Sequence, residues 1–388
     1  MKDLSECRIL IVDDVKANVE ILVEALRGDY KLSIALSGEA ALRTAEKSPP
    51  DLVLLDIVMP GIDGYEVCRR LRAAERTREI PIMFLSSLED VRDKARGFEI
   101  GGNDYLTKPF EILEVKARVR SLVKAKAYAD AVREAMERDL SIAREIQMGI
   151  LPSDLSACTK DTGLDIHAII EPARHVGGDL FEVMRVSEDR VLAVIGDVSG
   201  KGIPAALFMA VAVTLVRTMA RQFERPEEIL SRLNEELVAQ NPRGMFVTMA
   251  CLAIDIRSGR VTGASAGHNP LVLLGRGGPP RFVFPASGTA AGMFSGNEIT
   301  SESMDLAPGD TLVLYTDGVT EAANPEGKMF GDERLLECLE PGRNATQTVT
   351  HLMQAVRDYA AGAPQSDDIT ILAVRRTVEA GASVPDAQ

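Results

Sequence analysis

Arg8-Ile9-Leu10-Ile11-Val12-Asp13-Asp14 sets an apolar run against two carboxylates, and Leu52-Val53-Leu54-Leu55-Asp56 repeats the arrangement. Strand-like runs also occur at Lys31–Ala35, Ile80–Leu85 and Asp104–Leu106. Helical stretches near 16–27, 38–47, 64–75 and 90–100 separate these five runs. Five strand–helix repeats predict a doubly wound α/β fold with a five-stranded parallel sheet over residues 1–120. In such a sheet the functional crevice lies beyond the carboxyl ends of the strands. Asp13 and Asp14 end the first strand, Asp56 the third, Ser86 the fourth and Lys108 the fifth, so all are expected on one rim.

Asp13, Asp14 and Asp56 make a three-carboxylate cup. Hard divalent cations such as Mg2+ prefer carboxylate oxygens. With the cation neutralising incoming charge, a carboxylate oxygen of the cup is free to attack a phosphoryl group. Lys108 would pair with the phosphoryl oxygens, and a cis bond at Lys108-Pro109 would aim it inward. Ser86 offers the same group a hydroxyl, and Tyr105 is placed to rearrange in response.

Four motifs stand in order: Val12-Asp13-Asp14, Asp56-Ile57-Val58-Met59-Pro60-Gly61-Ile62-Asp63-Gly64, Leu85-Ser86-Ser87 and Asp104-Tyr105-Leu106-Thr107-Lys108-Pro109-Phe110. Together they resemble a two-component response regulator receiver domain. The resemblance implies Asp56 as phosphoacceptor and Ser86 with Tyr105 as the switch pair. It also implies a Mg2+ site completed by a carbonyl from the backbone around Ile57. A sensor histidine kinase is the implied phosphodonor. Ser86 stands where the family often has Thr, a change that keeps the hydroxyl.

From Glu111 to about Ile150 the one helix breaker is Gly149. Leu122, Ala129, Met136, Ala143 and Ile150 fit one heptad core position, and Ala125, Val132, Asp139 and Ile146 the other. Asp139 interrupts the second series. This pattern predicts a helical coiled-coil linker over 121–151 and a homodimer through it.

Leu151-Pro152 ends the helix, and residues 152–377 are expected to form a second domain. Strand-like runs at 164–170, 191–196, 246–256, 311–315 and 369–374 accompany helical stretches at 203–222, 226–240 and 346–361. Strands in succession with clustered helices predict an α+β sheet sandwich flanked by helices. Residues 378–388 read as a flexible tail.

Four aspartates of this domain sit at strand ends or glycine turns. They are Gly177-Gly178-Asp179, Gly196-Asp197-Val198, Tyr315-Thr316-Asp317-Gly318 and Ser366-Asp367-Asp368. An all-carboxylate set favours two Mn2+ or Mg2+ ions over zinc. Two such ions lower the pKa of water and clamp a phosphate. The motifs, with Ala143-Arg144-Glu145-Ile146-Gln147 and Ala266-Gly267-His268-Asn269-Pro270, resemble the metal-dependent (type 2C) serine/threonine protein phosphatases of the SpoIIE-like branch. The resemblance covers about residues 140–377. It implies Asp179, Asp197, Asp317 and Asp367 as metal ligands with the Val198 carbonyl, Asp197 and Asp317 being catalytic. Asp368 is a neighbour that could share the role. Its implied substrate is a phosphorylated anti-sigma-factor antagonist.

Glu182 departs from the branch, which usually has a second Asp there. It is the one feature favouring an alternative, a phosphorylation-controlled pseudophosphatase adaptor. His268 reads as a structural histidine in its turn. Lys201 reads equally as a phosphate contact or a solvated side chain, and Arg174 and His175 are candidate substrate contacts.

The chain of 388 residues has a net charge of −14 and a pI near 5.0. It gets no general attraction to nucleic acid or anionic membrane, so neither is expected as a partner. Five scattered cysteines lack metal spacing and read as reduced thiols. The first residues carry no signal-peptide pattern, and the apolar run Ile203–Val216 reads as a buried helix rather than a membrane span. A cytoplasmic location is expected.

Overall fold

The computed structural model describes residues 3–87, 91–239, 241 and 243–377; the expected tail at 378–388 lies outside them. The chain divides into two compact units, Met1–Arg138 and Asp139–Gln388.

The first unit alternates strand and helix as expected. In chain order it runs β1 (Arg8–Val12), α1 (Lys16–Leu26), β2 (Lys31–Ala35), α2 (Gly38–Lys47), β3 (Leu52–Asp56), α3 (Gly64–Ala73), β4 (Ile82–Ser86), α4 (Val91–Ile100) and β5 (Asp104–Thr107). The sheet order is β2-β1-β3-β4-β5, all parallel. Helices cover both faces, so the central strand β3 is buried at every position and reads as unbroken hydrophobicity. Each buried Leu or Val there contributes about 1.5–3 kcal/mol, enough to hold Asp56 at the rim despite its desolvation. Side-chain caps start two of the helices: Ser37 accepts from Ala40 N–H, and Asp63 from Glu66 N–H.

Helix α5 (Ile112–Ile150) is continuous over 39 residues. Val115, Val119 and Val123, spaced four apart, are fully buried in the first unit's core with Ile9, Leu54 and Leu85. Beyond them Tyr128, Val132, Met136, Ile142 and Ile146 are exposed. Three of these are heptad positions, and the other two lie beside them. The division at Arg138/Asp139 assigns the last turns of α5 to the second unit, where the sequence had suggested a linker up to 151.

The second unit holds two antiparallel five-stranded sheets. Its elements are α6 (Ser156–Thr159), β6 (Leu164–Glu171), β7 (Leu180–Ser187), β8 (Arg190–Val198), α7 (Ile203–Ala220), α8 (Pro226–Ala239), β9 (Val247–Asp255), β10 (Arg260–Ala266), β11 (Leu271–Leu274), β12 (Arg281–Val283), β13 (Ser301–Asp305), β14 (Thr311–Tyr315), α9 (Asp317–Thr320), α10 (Gly331–Cys338), α11 (Ala345–Ala360) and β15 (Ile369–Arg376). The sheet orders are β13-β10-β9-β8-β7 and β12-β11-β14-β15-β6. Leu192, Val194, Leu252 and Leu372 lie in one core cluster with α7 and α8 residues. A second cluster packs α11 (Val349, Leu352, Val356) on Val313 and Ile371. A capping box of Asn344 and Gln347 starts α11.

Helix α7 departs from the expectation of a buried helix. Met209, Ala212, Val213 and Val216 are buried, while Ile203, Leu207 and Val211, again four apart, are exposed. By length and composition alone it could cross a membrane, although part of it packs in the core. All five cysteines are free thiols, four of them buried.

Candidate functional site

In the first unit, β1 and β3 deliver Asp13 and Asp56 side by side, because the register sets Val12 opposite Leu55. One oxygen from each of Asp13, Asp14 and Asp56 lies within 4.8 Å of the others, the one such compact acidic group among the described residues. Lys108 follows β5 across a cis bond to Pro109. Its Nζ donates to Asp13 Oδ2 at 2.8 Å and Asp56 Oδ2 at 2.7 Å. Burial pushes the Asp56 carboxyl up; the Lys108 hydrogen bond opposes this and the Asp13 charge adds to it. Burial alone would lower Lys108, but its bonds to the two aspartates outweigh that and raise it. A buried acidic cup with one lysine suits an oxygen-seeking divalent cation such as Mg2+.

Asn18 escaped the sequence reading. Its Nδ2 donates to both Asp13 oxygens, at 3.1 and 3.0 Å, and Val15 N–H donates to Oδ1 at 2.8 Å. These donors orient Asp13 without adding charge. Ser86 is buried at the end of β4, one residue beyond Leu85, the partner of Asp56. The Tyr105 ring is buried, 5.2 Å from the centroids of Phe84 and Phe98.

In the second unit the four aspartates come from both sheets. Asp179 precedes β7 and Asp197 lies near the end of β8; Asp317 opens α9 after β14, and Asp367 precedes β15. Asp179 is buried, and its Oδ2 accepts from Thr316 Oγ1 at 2.7 Å and Thr370 Oγ1 at 2.6 Å. Thr370 N–H donates to Thr316 Oγ1 at 3.0 Å, closing the network. Burial raises Asp197 to about 7, with the charges of Asp317 and Asp367 adding to it and a hydrogen bond to Asp179 opposing. Asp179 is raised by burial and by Asp197, and Asp317 by burial, Glu321 and Asp367. Packed negative charge of this kind is what divalent cations would relieve, so the donor set fits metal. The Val198 carbonyl faces the same loop: a Cβ on Gly178 would sit 2.7 Å from it.

This charge pattern carries a pH dependence. Without metal, burial and the neighbouring charges favour a proton shared by the Asp179–Asp197 pair, with Asp197 raised to about 7, whereas an ordinary Asp releases its proton near 3.8. The native state therefore binds the extra proton throughout that window. Its contribution to stability is full below the unfolded value and is lost as pH rises through about 7. Chelator-treated protein is expected to lose Tm between about pH 5 and pH 8, and excess Mn2+ to restore it most at the higher pH. A Tm independent of pH and metal across this window would contradict the reading.

Asp368 takes two backbone hydrogen bonds. Its Oδ1 accepts from Ala173 N–H at 2.8 Å and its Oδ2 from Gly178 N–H at 2.7 Å. Two glycines permit this clamp. A Cβ on Gly177 would lie 2.0 Å from Asp368 Oδ2, and one on Gly318 would lie 1.9 Å from its carbonyl oxygen. Asp368 thus ties together the chain segments that carry Asp179, Asp317 and Asp367. Asp368→Ala leaves two inward N–H groups without acceptors, at about 1–3 kcal/mol each. Isothermal titration with Mn2+ is expected to show affinity reduced roughly 10–100-fold, and Asp368→Asn, with one acceptor oxygen, to fall between. Unchanged affinity in Asp368→Ala would remove the bracing role.

Glu182 also points elsewhere. Its Oε2 accepts from Arg217 Nε at 2.6 Å, and Arg217 Nη2 donates to the Ile150 carbonyl at 2.6 Å. Arg217 thereby ties α7 both to Glu182 on β7 and to the end of α5. Gln147, part of a sequence motif but given no role there, makes a two-way pair with the backbone of one residue, Gly177. Its Nε2 donates to the Gly177 carbonyl at 2.6 Å, and Gly177 N–H donates to its Oε1 at 3.2 Å. The end of α5 therefore grips the backbone two residues before Asp179.

Lys201, itself exposed, donates from Nζ to Asp367 Oδ2 at 2.9 Å and to the Ser366 carbonyl at 2.6 Å. His268 is buried, and burial lowers it to about 4. Its Nε2 faces the Tyr315 carbonyl at 3.1 Å and must hold the proton there, leaving Nδ1 to accept from Thr248 Oγ1 at 3.0 Å. It is a neutral structural group, as the sequence suggested. Arg174 and His175 are exposed just before the glycine pair.

Comparison with known proteins follows the same division. The family model of the response regulator receiver domain matches residues 9–120, and that of stage II sporulation protein E (SpoIIE) matches 187–377. Asp179 lies outside the second match. Protein IcfG of Synechocystis sp. is 27% identical over 399 residues, covering 95% of this chain and 58% of IcfG. Response regulator PleD of Caulobacter vibrioides is 43% identical over 128 residues, 33% of this chain and 28% of PleD. The chain thus spans less than two thirds of either relative. The SiaA-PP2C domain of Pseudomonas aeruginosa shares the fold, with a TM-score of 0.57 at 24% identity over 63% of this chain and 98% of that one.

Proposed function

We propose that this chain, which joins a response regulator receiver domain to a SpoIIE-type domain, is a metal-dependent serine/threonine protein phosphatase that removes phosphate from phosphoserine or phosphothreonine of a partner protein under the control of Asp56. The observation that carries this is the pairing of two carboxylate clusters in one chain. One is braced by a lysine and an asparagine in the receiver; the other is formed by mutually repelling aspartates from two sheets.

In the receiver, Asp13 and Asp14 would hold Mg2+ with Asp56 as phosphoacceptor. The phosphodonor is a sensor histidine kinase. Lys108 would exchange its bond to Asp56 for the transferred phosphoryl oxygens, with Ser86 and Tyr105 as the switch pair. In the phosphatase, Asp179, Asp197, Asp317, Asp367 and the Val198 carbonyl would hold two Mn2+ or Mg2+ ions. Such ions lower the pKa of water and neutralise phosphate charge. Thr316 and Thr370 fix which Asp179 oxygen is turned inward. Asp368 holds the loop, and Lys201 adds a positive charge beside Asp367. His268 keeps its proton on the Tyr315 carbonyl and takes no part in proton transfer.

Helix α5 carries the signal. Rotation or sliding of α5 moves the Gln147–Gly177 pair and, with it, Asp179. This is a physical element with which receiver and site can both interact. The exposed Val132, Met136 and Ile146 support a homodimer through this helix. A phosphorylated anti-sigma-factor antagonist is the proposed substrate, the cytoplasm the proposed location, and 121–151 the proposed signalling segment.

Gln147→Ala is expected to weaken Mn2+ binding about tenfold or more and to uncouple turnover from Asp56 phosphorylation, while leaving phosphoryl uptake by the receiver intact. Release of phosphate from a phosphoserine protein, with Mn2+ and with chelator, tests the enzymatic reading. Metal-dependent release supports it; none in excess metal returns the adaptor.

A further inference from the structure

A cavity of about 250 Å³ lies beneath the segment joining α11 to Asp367. Ala322, Met353, Val356 and Ile369 give it apolar walls. Gly318, next to Asp317, and Ser366, next to Asp367, also line it, so two of the four proposed metal ligands are its immediate chain neighbours. Here alanines line the space where larger side chains would close it.

The volume decides between occupants. An apolar cavity of about 150 Å³ accepts benzene, whereas pockets for drug-sized ligands run to roughly 300–1,000 Å³. This one suits a single Leu, Met or Phe side chain. The molecule that must approach Asp317 and Asp367 is the phosphoprotein itself, and an extended chain advances about 3.3 Å per residue. At the cavity, Arg357 pairs with Glu171, and Gln365 Nε2 donates to the Glu171 and Asp367 carbonyls at 2.8 and 2.7 Å. These groups, bonded to one another, form a polar rim around the apolar space.

We propose that this cavity is a specificity pocket, taking one apolar side chain of the substrate protein a few residues from its phosphoserine. The inference rests on the phosphatase reading, and the test separates the two. Turnover of p-nitrophenyl phosphate with Mn2+ reports the metal site alone. A set of phosphoserine peptides, each with one Leu at a different flanking position in a Ser/Gly background, reports the pocket. One Leu position is expected to lower KM roughly tenfold against the Leu-free peptide.

Ala360→Phe, which fills the cavity from the last turn of α11, is expected to erase that preference and leave p-nitrophenyl phosphate turnover unchanged. Met353→Ala, which enlarges the cavity, is expected to shift the preference from Leu towards Phe at the same position. No Leu effect at any position in an active enzyme would overturn the pocket, as would an equal Leu effect in wild type and Ala360→Phe. Leu-independent activation by Ala360→Phe would mean that the cavity holds an inhibitory segment of the chain, and would also overturn it. Failure of wild-type protein to turn over p-nitrophenyl phosphate and peptides alike would instead count against the phosphatase reading.

Discussion

Asp317→Ala is expected to lower kcat/KM for phosphate release from a phosphoserine protein roughly a thousandfold, the equivalent of about 4 kcal/mol of transition-state stabilisation. Asp317 opens α9 and projects into the same charged space as Asp197 and Asp367. Its removal takes one oxygen ligand from the proposed metal centre and leaves β14 and β15 paired as before. Burial and like charges push its carboxyl up, so the metal-free variant should melt at or above the wild-type temperature at neutral pH. Lost turnover with retained Tm would separate a chemical role from a structural one. Calorimetric titration with Mn2+ should also show weaker or fewer sites. Turnover within threefold of wild type would contradict the ligand assignment.

Asp56→Asn is expected to abolish phosphoryl uptake from acetyl phosphate, followed as a mass increase of the intact protein. The amide keeps the shape of the side chain at the end of β3 but not the nucleophilic carboxylate. Asp56 is buried, and burial with the neighbouring Asp13 charge holds its carboxyl above the ordinary range. Neutralising it removes a desolvated charge, while Lys108 keeps its 2.8 Å bond to Asp13. The variant should therefore fold at least as stably as the wild type. Uptake of a phosphoryl group by Asp56→Asn would move the acceptor role elsewhere in the cup.

The receiver was legible because its chemistry sits at the ends of buried parallel strands. Leu52–Leu55 is apolar without interruption and Asp56 ends it, so strand, burial and site are written in one pentapeptide. The four aspartates proposed as phosphatase ligands stand out in the sequence for a similar reason: glycine turns and strand ends mark them. Their support does not. Thr316 and Thr370 reach Asp179 across 137 and 191 residues, and no local pattern singles out either hydroxyl. Asn18 and Gln147 read as ordinary helix residues until their partners, Asp13 and the Gly177 peptide, are brought beside them. Nothing local in Asp367-Asp368 signals the Ala173 and Gly178 N–H groups that bond Asp368. Strand β13, Ser-Glu-Ser-Met-Asp, is a polar edge with no apolar alternation, and its pairing with β10 places it in the sheet. The exposed stripe of α7 was hidden by a helix apolar all round, where periodicity gives no face.

The central claim is that one chain couples its two carboxylate clusters, and it is tested most directly by a single ratio. Phosphate release from a phosphoserine protein, with saturating Mn2+, is measured for wild type with and without acetyl phosphate, and for Asp56→Asn under both conditions. The account predicts a several-fold change in wild-type kcat/KM and none in Asp56→Asn. A ratio of one in the wild type, with Asp56 phosphorylation verified by mass, would contradict it.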